Sequence, residues 1–183
     1  KTFKKIPSIN SFLYEFYSMG AVRHGDYIAK VRVIPTEQTT NAITEKDIDL
    51  DSAEWPYRKG IIKEIAQKNL TFELQIQLCK NLKEMPVNDL TKEWSQELSP
   101  FRTVAKITIP KQTVPEDGNF EIMENLSFTP FRTIEENSPI GNLQRSRQSA
   151  YVTSSTSRHE LNHKKRKEPK NLEEAFSPEF YQL

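Results

Sequence analysis

Two side chains in this sequence have the types and the spacing to do chemistry together: Arg147 and Tyr151. They lie in the stretch 141–162, which carries no Pro or Gly beyond Gly141 to stop a helix and follows Ser138-Pro139-Ile140-Gly141, a helix-start signal. In a helix, residues four apart are neighbours on one face, about 6 Å apart along the axis. Arg158, seven residues beyond Tyr151, falls two turns further along that face. A guanidinium beside a phenol oxygen favours the phenolate, because the opposite charge stabilises the ionised form. A phenolate is a hard anionic ligand suited to ferric iron, haem iron included. The same residues equally suit an ordinary amphipathic helix with a surface Arg and a half-buried Tyr. The pair by itself leaves both readings open.

The rest of the composition says what kind of chain must position this pair. At 183 residues it is about one domain, and its 36% hydrophobic residues are enough for a core in an otherwise polar chain that is 28% charged. A net charge of +1 gives no global reason to expect nucleic acid or an anionic membrane as partner. No apolar run reaches membrane-spanning length and no signal-peptide pattern is present. The single Cys79 excludes an intrachain disulfide and a cysteine metal cluster, and reads as a small core residue. Lys164-Lys165-Arg166-Lys167 reads as a solvated helix end. The chain begins Lys1-Thr2-Phe3 without Met, which points to a processed or partial chain.

Periodicity supplies the scaffold. Phe12, Leu13 and Phe16 fit a short amphipathic helix or packed arm, and residues 27–34 alternate as a strand that Pro35 ends. His24 falls in the turn before that strand, and no catalytic role is placed on it. Residues 37–54 read as a polar loop, and Ile61, Ile62 and Ile65 mark a short helix. The clearest strand is 70–79, with Phe72, Leu74, Ile76 and Leu78 facing one way and Glu73, Gln75 and Gln77 facing the other. Residues 85–94 connect through a brief turn or helix to a strand over 101–109 that Pro110 ends. Residues 113–120 read as a loop, 124–130 as a short extended segment, 143–163 as a helix, and the tail from 168 as an extended or weakly helical arm. Strands joined by irregular loops, with helices gathered at the end, predict an α+β domain on an antiparallel sheet. Three such strands cannot close a barrel unaided.

In order along the chain, these blocks resemble the C-terminal half of a haem catalase domain, closest to the small catalase-like haem proteins. Glu124-Asn125-Leu126-Ser127-Phe128-Thr129-Pro130 resembles the segment leading to the proximal helix of that family. Residues 138–151 resemble its signature around Arg-x-x-x-Tyr, and Arg158-His159-Glu160-Leu161-Asn162 resembles the basic segment that closes it. Upstream, 23–30, Glu93-Trp94, 98–101 and 105–110 resemble strands of the second half of the barrel, so the likeness runs from Tyr17 to Asn162.

The resemblance implies an antiparallel β-barrel with C-terminal helices, of which this chain supplies about half. Haem b would lie between barrel and helices, with Tyr151 as the proximal iron ligand, Arg147 paired to its phenolate, and Arg158 as a candidate partner for a haem propionate. Residues 1–163 would form the haem-domain part and 164–183 a basic linker and arm. The implied activity is that of a catalase or peroxidase on hydrogen peroxide or an organic hydroperoxide. A hydroperoxide isomerase of the allene oxide synthase kind, a non-enzymatic haem-binding protein and a haem-free interaction domain are the alternatives. Two departures bear on this. The distal His of catalases has no counterpart here, since His24, His159 and His163 belong to other blocks, and Thr153 stands where typical catalases have an acidic residue. The missing N-terminal half, in the same or another chain, is therefore an expected partner, and a homo-oligomer is compatible with the sequence.

Overall fold

In the computed structural model, which describes residues 8–52, 54–114, 126–164, 169–171, 173, 174 and 177, one antiparallel sheet organises the chain. Its strands are β1 (Phe16–Tyr17), β2 (Val22–His24), β3 (Tyr27–Pro35), β4 (Leu70–Leu78) and β5 (Arg102–Ile109). The order is β1-β3-β4-β5, and β2 pairs with the other end of β3 through a turn at Gly25, whose φ of 62° suits glycine. The three long strands are those that alternation predicts. β1 and β2 are too short to carry a periodic signal.

The helices are α1 (Glu37–Ala42), α2 (Pro56–Ile65) and α3 (Asn142–Leu161). Helix α1 corrects the expectation of a loop over 37–54. Its buried residue is Thr39 rather than an apolar one, so no hydrophobic period marks it. The Thr36 side chain caps its start by accepting from the Thr39 amide, and Thr39 Oγ1 both donates to the Thr71 carbonyl and accepts from the Thr71 amide, each at 2.7 Å. Residues 85–94 form turns and no helix. The aromatic arm is a 3₁₀ turn over Ser11–Leu13, with Phe12 against Phe72, followed by the exposed Phe16 of β1.

Apolar residues of β3 and β4 share one face, and its core is Ile43, Ile65, Leu70 and Phe72, covered by α2 and the 3₁₀ turn. A second core joins Ala21, Met85 and Trp94 with Ile28, Cys79, Val87 and Ile140, so Cys79 does serve as a packing residue. On the opposite face of β4, Gln75 and Gln77 are buried as well. Residues 94–99 fold over it, and Gln77 Nε2 donates to the carbonyls of Trp94 and Ser99 at 3.0 and 2.8 Å. Gln75 accepts from Arg32 Nε at 2.7 Å and donates to Glu73 and Thr103. Gln77 thereby satisfies loop carbonyls that would otherwise be buried unpaired.

Candidate functional site

Helix α3 is held at its start, ahead of the reactive pair. Residues 136–140 run against β2: the amides of Arg23 and Gly25 donate to the carbonyls of Ser138 and Glu136, and the Ile140 amide donates to the Ala21 carbonyl. Arg23 adds an ion pair to Glu135 at 3.0 Å. The chain then turns at Gly141, with φ of 95° and Val87 Cγ1 only 2.8 Å from where a Cβ would sit, so both conformation and space require glycine. The first free amide of α3, that of Asn142, donates to Asn88 Oδ1 at 2.8 Å. The Ser138-Pro139 signal thus marks the helix start within a few residues, but the cap itself comes from a loop fifty-four positions away.

Within α3 the predicted pair is formed. Arg147 Nη2 donates to Tyr151 Oη at 2.6 Å, and Arg147 Nη1 donates to Gln144 Oε1 at 2.9 Å. The guanidinium therefore holds the phenol oxygen with one arm and a buried amide with the other. Sequence reasoning missed Gln144. Its spacing three residues before Arg147 was the available signal, since i and i+3 share a face.

Tyr151 is half-buried beside a crevice of about 30 Å³, lined also by Ser127, Phe128, Thr129, Arg132, Val152 and Ser155. That is room for little more than one water molecule. Phe128 is 77% exposed and Val152 55% exposed, so the tyrosine sits on an open, partly apolar face. Arg158 faces the same segment, donating from Nη2 to the Leu126 carbonyl at 2.6 Å. Its Nε, and Ser127 Oγ nearby in sequence to that carbonyl, are buried with no hydrogen-bond partner among the described residues. Arg147, Tyr151 and Arg158 thus do share one helix face. His159 is buried with both ring nitrogens unpartnered among the described residues, whereas His24 is exposed at the end of β2. Residues 115–125, including Glu124 and Asn125, and residues 165–168 of the basic run and tail lie outside the described residues, as does most of the arm beyond them.

No protein-family model matches the sequence, and no curated protein is significantly similar to it. Solved structures do match the fold. A fungal catalase aligns with a TM-score of 0.63 at 19% identity, over 83% of this chain and 32% of its own. Catalase A from Saccharomyces cerevisiae aligns with a TM-score of 0.61 at 18% identity, over 97% of this chain and 41% of its own. The chain has a catalase-like fold and spans between a third and two-fifths of the length of those catalases. No described helix is long and apolar enough to cross a membrane.

Proposed function

We propose that this chain is the proximal part of a haem-dependent oxidoreductase of the catalase or peroxidase type, acting on hydrogen peroxide or an organic hydroperoxide. The observation that carries the reading is the 2.6 Å bond from Arg147 to Tyr151 Oη, made on an open face of a catalase-like fold. The donor set fits haem. Tyr151 offers a phenol oxygen as a ligand for ferric iron, Phe128 and Val152 offer apolar surface for a flat ring, and Arg158 Nε and Ser127 Oγ, unpartnered among the described residues, suit a propionate carboxylate. Residues 1–163 make this part, and 164–183 a linker and arm.

When bound, haem iron supplies the redox chemistry that acts on the peroxide bond. Tyr151 would hold that iron, and Arg147 would orient the phenol oxygen through the hydrogen bond it donates. Among the described residues, those lining the crevice beside Tyr151 include no carboxylate or imidazole. The proton shift that peroxide cleavage requires is assigned to the rest of the domain, in the same or another chain.

The test uses protein containing the whole domain. A Soret band with a ferric high-spin phenolate spectrum is expected, and its absence sinks the haem reading. Tyr151→Phe keeps the ring and removes the ligand oxygen, so unchanged iron ligation in that variant would refute the assignment. Haem retained with neither oxygen release nor donor oxidation would leave a binding protein, and conversion of a fatty hydroperoxide without oxygen release would identify an isomerase.

A further inference from the structure

We infer that Gln144, seated on Gly20, is the positioning residue that aims Arg147 at Tyr151; this rests on Tyr151 being the functional side chain. Gln144 and His159 are the buried residues of α3, a helix that is otherwise mostly exposed. A polar amide is buried at no net gain unless its hydrogen bonds are made. Gln144 Oε1 accepts from Arg147 Nη1 at 2.9 Å, and the other arm of that guanidinium, Nη2, reaches Tyr151 Oη. Residues 144, 147 and 151 follow the i, i+3, i+7 spacing of one helix face, so the clamp needs no other element to line up its three members.

What fixes the clamp in space is Gly20. A Cβ there would lie 3.0 Å from Gln144 Nε2 and 3.2 Å from Cδ and Cγ, so the amide occupies the space that a side chain at position 20 would take. Gly20 is buried, and its neighbour Ala21 holds the segment before α3 through the Ile140 amide. The requirement at Gly20 is space, which any side chain would fill. With Gln144 pinned between Gly20 and Arg147, the planar guanidinium cannot turn about its Cζ–Nε bond without breaking a bond at each arm.

The experiment is nuclear magnetic resonance of the full-length, haem-free protein with ¹⁵N-labelled arginine, reading rotation and solvent exchange of the Arg147 Nη protons. In the wild type these protons should be resolved and slow. Gln144→Leu should accelerate them about tenfold or more, the loss expected for one hydrogen bond to a charged group, while amide protection along α3 is unchanged. Gln144→Glu, which keeps an acceptor at that position, should stay slow. Gly20→Ala should reproduce the leucine variant by displacing the amide. Wild-type rates in Gln144→Leu would overturn the proposal, as would fast rates in Gln144→Glu. If the leucine variant loses its α3 protection, Gly20→Ala against Gln144→Glu decides in the same way. None of these readouts needs haem, so a missing Soret band defeats the proposed function without touching this result.

Discussion

At the residue scale, the pair Arg147–Tyr151 and the ion pair Glu64–Lys68 share an i, i+4 spacing but differ in what surrounds them. Glu64 is fully buried, bonded to Lys68 Nζ at 2.7 Å and accepting from the Thr44 amide, the Thr44 hydroxyl and the Glu45 amide at 3.1, 2.8 and 3.2 Å. Burial alone would push its carboxyl up, but the bonds from Lys68, Thr44 and Glu45 outweigh it and hold the group below the usual carboxylate range. A depressed folded-state value means that the unfolded chain takes up the proton first. The stabilisation is therefore complete above the ordinary carboxylate range and is lost as pH falls through it toward the lower folded value. Glu64→Gln should cost about 3 kcal/mol at neutral pH, the scale of breaking a buried ion pair. Its melting temperature should also vary less with pH on the acid side than that of the wild type, and parallel melting curves would refute the role given to Glu64.

At the element scale, α3 depends on other segments for its start. It carries no cap of its own, and Asn88 supplies the acceptor for the Asn142 amide. Asn88→Ala should cost about 1 kcal/mol. Exchange should speed up at the first-turn amides of α3, leaving the amides near Tyr151 as they were. Uniform loosening along the helix would place the effect elsewhere. The same dependence explains what sequence reading captured here. The 143–163 span lies within two residues of the observed helix at either end, because an uninterrupted stretch between Gly141 and Asn162 is a local signal. The cap was hidden because Asn88 is remote in sequence, and α1 was hidden because its buried contact is a threonine.

At the scale of the whole molecule, the sheet formed by the described residues is open along β5. Every residue from Arg102 to Thr108 is exposed, Val104 by 49% and Ile107 by 38%, and among the described residues β5 pairs only with β4. A long edge strand with exposed apolar side chains is a surface on which further strands add. The chain studied alone should self-associate as concentration rises, and Ile107→Lys should weaken that association by placing charge on the apolar face. Sedimentation velocity checks this, and equal association by the variant would count against β5 as the contact. The two catalases matched are longer than this chain by more than twofold, in keeping with a sheet that leaves an edge free.

By itself the sequence determined the three long strands, the span of α3 and the Arg147–Tyr151 pairing, because each follows from a period of two or of 3.6 residues read within one segment. Only the tertiary structure decided which polar residues are buried. Gln77 is inside because the 94–99 loop crosses it, and Gln144 is inside because Gly20 leaves room. Arg158 is turned to Leu126 by the chain returning alongside α3. Those contacts join residues far apart in the chain, where no local period reports them. Arg147 and Tyr151 thus meet as their spacing predicts, while the bond from Arg147 to Gln144 depends on a side chain whose burial against Gly20 no local pattern reports.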